Sequence, residues 1–280
     1  MKVFSGRKLL IATMHGKETV IAPLLEKHLG VTCIVPSNFD TDYFGTFTGE
    51  VERETDPLTT ARKKCQMALE FGLCDMAIAS EGSFGPNPLI PFMPADDEWL
   101  FFADKKNNVQ AFAREVSTST NFAGALVTNM DELMRFANKA LFPSHGLIIR
   151  PSENDKLRIV KGITDKDTLQ KLFLEYSAIS GSAFVETDMR AMYNPLRMAV
   201  IEKATEKLVK KLTSTCPVCD TPGFSIADAK LGLPCETCNA PTKTPMYYIL
   251  RCAKCGFESQ EQPAHKKKFE TPMFCDNCNP

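Results

Sequence analysis

The 280-residue sequence has no surplus of charge of either sign: 33 Lys and Arg stand against 34 Asp and Glu, a formal net charge of -1. That balance excludes long-range attraction of the whole molecule to nucleic acid or anionic lipid, so any such binding must be local. Long hydrophobic runs are missing near the start as well. Arg7 and Lys8 precede only the short stretch Leu9 to Thr13, well below the length of a signal-peptide core or a membrane span. A cytoplasmic protein without membrane contact is the expectation. The first 212 residues show no internal repeat and hold only Cys33, Cys65 and Cys74, which read as small buried hydrophobes. The other cysteines, of eleven in all, fall after residue 215 in four C-x-x-C pairs. In a reducing compartment such thiols stay free for metal rather than forming disulfides.

What is present in residues 1–212 alternates strands with helices. KLLIAT is a short apolar run, Val20, Ile21, Leu24, Leu25, His28 and Leu29 follow at helical spacing, and VTCIVP is a second run after Gly30; this is β-α-β. DPLTTARKKCQMALEFG reads as a helix with Asp56 as N-cap and Pro57 at its first position. CDMAIAS is a buried strand expected to end at Ser80-Glu81-Gly82. EWLFFAD and VQAFAREVST form a hairpin about Lys105 to Asn108. A helix over 131–140, paired strands HGLIIR and KLRIVKGIT, a helix opening near Asp165 and a last helix from Pro195 to Leu212 complete the series. The fold class is α/β, a mixed sheet layered by helices. From Ser214 the composition turns to Cys, Pro, Gly, Asn and Thr, which sets the domains as 1–212 and 213–280.

The four pairs are Cys216/Cys219, Cys235/Cys238, Cys252/Cys255 and Cys275/Cys278. Two thiolates on one tight turn occupy two corners of a tetrahedron, and two turns close a site. Four pairs therefore make a double zinc ribbon with two structural Zn²⁺, no open position being left for substrate. Spacing favours sequential use, Cys216, Cys219, Cys235 and Cys238 on one ion and Cys252, Cys255, Cys275 and Cys278 on the other, with crossed pairings open. His265 reads as a loop residue. Lys266, Lys267 and Lys268 beside Phe269, with Tyr247 and Tyr248, offer charge and stacking to nucleic acid, although three lysines supply only a small electrostatic term.

In open α/β sheets ligands gather beyond the carboxyl ends of strands, where helix N–H groups point outward. Thr13, His15, Gly16 and Lys17 occupy such a place, Gly16 allowing close approach and Lys17 bringing a point charge for phosphate. ASEGSFGPNP supplies Glu81 and Ser83 at a second strand end, with Glu81 placed to ligate Mg²⁺ alongside Glu50, Glu52 or Asp97. His145, and Asp188 with Arg190 and Tyr193 in the expected loop FVETDMRAMYNP, are further candidates.

Strand, T-x-x-x-K, helix, then an acidic Thr-rich loop, a helix with Arg62, Lys63 and Lys64, a strand ending in an acidic Gly/Ser turn, and NPLRMAVIEKATEKL near the end: this order resembles the inosine/xanthosine triphosphate pyrophosphatase superfamily. The resemblance implies Lys17 on phosphate, Glu81 on metal and Arg197 on the nucleotide. His15-Gly16 stands for the usual Asn-centred hinge, Glu81 for a double aspartate and Asn194-Pro195 for Ser-His. GRKLLIAT, FGTFTGEVER, ASEGSFGP, FPSHGLI and FCDNCNP resemble, across nearly the whole chain, a bacterial family known only as a domain of unknown function with a C-terminal double zinc ribbon. The expected function is metal-dependent hydrolysis of a nucleotide or other phosphorylated small molecule, with Lys17 and Glu81 catalytic and Thr13, His15, Gly16, Ser83 and Arg197 binding substrate. The alternative is a nucleic-acid or protein-binding ribbon protein with an α/β scaffold, or ribbons that dimerise the chain or cap its sheet.

Overall fold

Lys8–Ala12 is strand β1 because four consecutive buried apolar residues follow Lys8, as a strand covered on both faces requires. Glu18–Leu29 (α1) leads to β2 (Thr32–Ile34), which lies parallel beside β1. Gly30 ends α1 in the left-handed region at φ 68°, its N–H donating to Glu26 O. Pro23 lies inside α1 rather than ending it. Both Pro23 and Thr19, whose carbonyl loses its i+4 donor, are solvent-facing, so water satisfies the freed group. The computed structural model describes residues 3–13, 15–36, 56–88 and 90–280. Two compact units emerge, Met1–Val209 and Lys210–Pro280.

In the first unit Pro57–Glu70 is α2, with Asp56 Oδ1 accepting from Thr59 N–H at 3.0 Å and Pro57 opening the helix. Strands β3 (Met76–Pro86), β4 (Pro94–Asp104) and β5 (Val109–Ser117) complete a sheet of order β2-β1-β3-β4-β5, mixed because β1 and β3 are parallel and the last three antiparallel. Ala61, Cys65, Ala68 and Leu69 of α2 pack on Leu10, Ala12, Ala77, Ala79, Phe101 and Ala103, one face of that sheet. Cys65 is buried there, Sγ 3.2 Å from Ala77 O, while Cys33 and Cys74 are half-buried. The strand expected to end at Ser80-Glu81-Gly82 runs on to Pro86. Its ladder with β4 carries it past the last residue paired with β1, Ala79.

The remaining strands form a second sheet instead of extending the first. Strands β6 (Gly124–Val127), β7 (Leu147–Arg150), β8 (Val160–Ile163) and β9 (Ala183–Thr187) take the order β6-β9-β7-β8, all antiparallel. FVET, expected in a loop, is therefore strand; alternating burial of Ala183, Val185 and Thr187 drives it. Helices α3 (Met130–Lys139) and α4 (Lys166–Ser180), capped by Asn129 and Asp165, bury Leu133, Ala137, Leu169 and Phe173 with that sheet. Helix α5 (Pro195–Thr213) follows a 3-10 turn at Ala191–Tyr193. Asn194 Oδ1 accepts from Arg197 N–H at 3.0 Å, capping α5 with Pro195 at its start.

The second unit holds β10 (Ser225–Leu231), β11 (Pro245–Arg251) and β12 (Glu258–Glu261) in one antiparallel sheet. Among the described residues no helix is long and apolar enough to cross a membrane.

Candidate functional site

Each C-x-x-C turn is built alike. The N–H of the residue after the second cysteine donates to the carbonyl of the first: Asp220 to Cys216, Asn239 to Cys235, Gly256 to Cys252 and Asn279 to Cys275, at 2.9, 3.0, 3.0 and 2.9 Å. Asp220, Asn239 and Gly256 sit at positive φ, which Asp, Asn and Gly tolerate best. Val218 N–H and Thr237 N–H point at the sulfurs of Cys216 and Cys235, both at 3.4 Å.

The turns meet in crossed fashion. Cys216, Cys219, Cys252 and Cys255 form one cluster and Cys235, Cys238, Cys275 and Cys278 the other, with ligand atoms in each within 4.8 Å of one another. This corrects the sequential pairing expected from spacing. Cys219 and Cys235 flank β10, whose seven extended residues separate them by about 20 Å at roughly 3.3 Å per residue. Antiparallel pairing sets Ser225 opposite Arg251, so the first turn meets the third, which links β11 to β12. Cys235 bridges Glu270, drawing the fourth turn to the second. Sulfur separations of 3.7 Å (Cys216 to Cys255), 3.6 Å (Cys219 to Cys252), 3.9 Å (Cys235 to Cys278) and 3.6 Å (Cys238 to Cys275) are far too long for disulfides. They match the edge of about 3.8 Å of a tetrahedron with metal–sulfur bonds of about 2.3 Å. Both tetrads can hold a metal ion.

Around the ribbons' lysines the electrostatics are local. Lys267 Nζ is bound to Glu270 at 2.8 Å, and Tyr247 and Tyr248 are half-buried on β11.

At the first sheet, side chains of alternate residues share a face. Ser80, Gly82 and Phe84 of β3 lie opposite Leu100, Glu98 and Asp96 of β4, on the face away from α2. Lys17, at the start of α1, reaches this face: its Nζ donates to Ser80 Oγ at 3.0 Å and Ser80 O at 3.4 Å. Arg197 of α5 reaches it too, Nε donating to Glu98 Oε1 at 2.6 Å, NH1 to Met189 O, with the guanidinium over the Phe84 ring. Gly82 is required beneath this pair, since a Cβ there would overlap the Glu98 carboxylate. Lys17, Ser80, Asp96, Glu98 and Arg197 are all buried. Burial first, then the charge of Arg197, pulls the Lys17 amine down to about 8, partly offset by Glu98 and Glu81. Burial and then the negative charge of Glu98 push the Asp96 carboxyl well above the usual carboxylate range, with Arg197 and Lys17 opposing.

Glu81, one residue along, points to the opposite face, where Lys64 of α2 bonds its Oε2 at 2.6 Å. Asp97, its expected partner on the metal, is held by Arg114 at 2.8 and 2.7 Å. Glu50 and Glu52 lie outside the described residues. Glu81 thus shares an edge of the sheet with Lys17 but not a face. Ser83 is half-buried on Glu81's side. Thr13 is buried at the end of β1, its hydroxyl 3.4 Å from His15 N–H, and Gly16 adopts φ 72° before α1. Asp188 serves as a clasp, accepting from Gly162 N–H at 3.0 Å and from Arg190.

Sequence reading overlooked Asp96 and Glu98, and placed Lys64 on a helix and Ser80 at a strand end without giving either a contact. The signal lay in PADDEWLFFAD: Asp96 and Glu98 continue the alternate positions of Leu100 and Phe102, which are buried, so two acids occupy a core stripe.

His145 anchors the second sheet to α5. The Ser144 hydroxyl gives its one proton to Leu141 O at 2.6 Å, so Nδ1, 3.0 Å from Ser144 Oγ, must donate to it. Nε2 then accepts from Leu196 N–H at 3.2 Å, and burial lowers the ring's pKa. A lowered native value means stability that is full above the unfolded value of about 6.5 and is lost as pH falls below it. His145→Gln, which cannot titrate, should show a smaller fall in melting temperature from pH 7.5 to 5 than the wild type, by about a degree or more for this one group. An equal fall would remove His145 from the pH response.

No curated protein matches the chain. Among solved structures it is similar to one described as the crystal structure of protein VC0702 from Vibrio cholerae, at 10% identity over 73% of this chain and 93% of that one, with a TM-score of 0.33. Residues 64–280, from Lys64 beneath Glu81 through both cysteine tetrads, match the model described as Domain of unknown function (DUF6671), and the chain belongs to that family.

Proposed function

We propose that the first unit is a metal-dependent hydrolase of a nucleotide or other phosphorylated small molecule, and that the tetrads hold two structural Zn²⁺ ions. The observation that carries the first reading is Lys17. A buried amine at a helix start, beyond the carboxyl end of β1 and beside the middle of β3, with Ser80, Asp96, Glu98 and Arg197 around it, is the arrangement in which a phosphate group gains most from fixed positive charge. Burial strengthens that attraction because water no longer screens it. Lys17 neutralises phosphate, Ser80 holds the amine in place, and Arg197 fixes the Glu98 carboxylate. The resemblance to the inosine/xanthosine triphosphate pyrophosphatase superfamily at Thr13 to Lys17 supports the same substrate class.

All-thiolate donor sets with tetrahedral edges support zinc, and full ligation leaves those ions no reacting position. Thiols kept as ligands suit a reducing compartment such as the cytoplasm.

A screen of the purified protein against nucleoside triphosphates with Mg²⁺ is expected to reveal release of phosphate or pyrophosphate. Lys17→Met should lower the turnover found by about 10²-fold or more, the scale seen when one electrostatic donor is removed. Undiminished turnover in Lys17→Met would remove the amine from the reaction. The competing reading, polynucleotide binding through the ribbons, requires affinity for RNA or DNA that falls steeply with salt and disappears in Lys266→Ala/Lys268→Ala.

A further inference from the structure

We infer that Asp96 and Glu98 of β4 form a binding site for a hard divalent cation, Mg²⁺ or Mn²⁺, that the buried lip completes with a phosphate group of its ligand. The inference deepens the hydrolase reading and rests on it for the phosphate. Two buried carboxylates two residues apart on one strand face inward together, Asp96 1% exposed and Glu98 0%. Each keeps one oxygen, Asp96 Oδ1 and Glu98 Oε2, without a hydrogen-bond partner among the described residues. A buried carboxylate oxygen left in this way is strongly disfavoured unless positive charge meets it.

Among the described residues no neighbouring cation is hydrogen-bonded to those two atoms. Arg197 Nε goes to the other oxygen of Glu98, and Lys17 Nζ goes to Ser80. What fits two neighbouring buried carboxylates is a small oxygen-seeking ion. Mg²⁺ commonly takes only one or two protein carboxylates and fills its remaining positions with water and substrate phosphate, so two donors suffice. Lys17 stands on the same face, where it would meet the phosphate that the ion binds. Glu81 does not fit this duty, because Lys64 holds its carboxylate on the far face. The rival occupant of the two oxygens is a single shared proton.

The molecule supplies its own reporter. Trp99, the single tryptophan, adjoins Glu98 in β4. Tb³⁺, an oxygen-ligated hard ion, can be titrated into the zinc-loaded full chain and its luminescence excited through Trp99; thiolate tetrads prefer soft ions and do not compete. Sensitised emission that Mg²⁺ and Mn²⁺ displace is expected, and inorganic pyrophosphate should tighten Mn²⁺ binding followed by electron paramagnetic resonance. Asp96→Asn, judged folded by its unchanged Trp99 emission spectrum without metal, should weaken Mn²⁺ by about tenfold or more, since even residues behind a metal ligand cost that much.

No displaceable Tb³⁺ signal and no Mn²⁺ bound at millimolar concentration in the wild type would overturn the site in favour of the shared proton. Unchanged Mn²⁺ affinity in Asp96→Asn would do the same. Mn²⁺ binding lost in Asp96→Asn, with no phosphorylated compound turned over by the wild type, would uphold the cation site and sink the hydrolase reading. Turnover that survives chelation of Mg²⁺, in a protein that binds no Mn²⁺, would sink the cation site and leave phosphate hydrolysis standing.

Discussion

Stripped of metal, residues 210–280 are expected to lose their fold altogether. Besides the tetrad cysteines, the second unit has only a small apolar cluster, chiefly Leu212, Phe224 and Leu233, with Leu250 and Phe257 half-buried. Such a cluster cannot offset the chain entropy of a domain of this size. Structural zinc contributes an apparent stabilisation of roughly 10–16 kcal/mol per site, comparable to the whole stability of a small domain. A strong chelator should therefore abolish amide-exchange protection across β10, β11 and β12 while Trp99 emission, which reports only on the first unit, stays unchanged. Protection that persists without metal would show that packing alone holds the unit.

The same protein tests the crossed arrangement by counting. The wild type should bind two zinc ions. Cys216→Ser/Cys252→Ser removes two ligands of one tetrad and should retain one ion, whereas Cys216→Ser/Cys235→Ser damages both tetrads and should retain none. Sequential pairing demands the reverse pattern. Mass spectrometry under native conditions decides between them directly.

Glu98→Ala should destabilise the first unit by about 3–5 kcal/mol, the cost of leaving one partner of a buried ion pair alone. Neither Glu98 nor Arg197 exposes any of its side chain, and Gly82 leaves no room for the pair to relax toward β3. For contrast, Arg158→Ala, which breaks the solvent-exposed Arg158–Asp155 pair with Arg158 53% exposed, should change stability far less, because water screens that pair. Urea unfolding followed by Trp99 measures both. Equal costs for the two pairs would mean that Arg197 finds another partner once Glu98 is gone.

The α/β class was legible because local signals agreed with the global fold. Asp56-Pro57 capped a helix whose Ala61, Cys65 and Ala68 made one stripe, and the apolar residues 9–12 allowed only a covered strand. The division of the strands into two sheets was not legible, since strand pairing depends on contacts remote in sequence. Strand β6 was missed for a related reason: GALV offers four residues, begins with glycine and gains its order from pairing with β9. The eight cysteines that can hold metal were legible residue by residue, yet their pairing was not. Spacer length limits which turns can meet, but the direction of β10 chooses among them. At the first sheet, the position of Lys17 after a strand was legible, whereas the face that Glu81 takes was not, because it depends on the register of β3. One more residue of strand turns a side chain to the other side of the sheet.

The interleaving of the four thiol turns has a consequence for how the tail can be cut. With metal bound, a clip between Cys238 and Cys252 would leave the two pieces joined, because each tetrad takes two sulfurs from either side of the break. Deleting the final C-x-x-C, in contrast, frees Cys235 and Cys238 in the middle of the span and loosens a region far from the deletion in sequence. The module is therefore indivisible: any continuous stretch that encloses all four cysteines of one tetrad also carries two of the other.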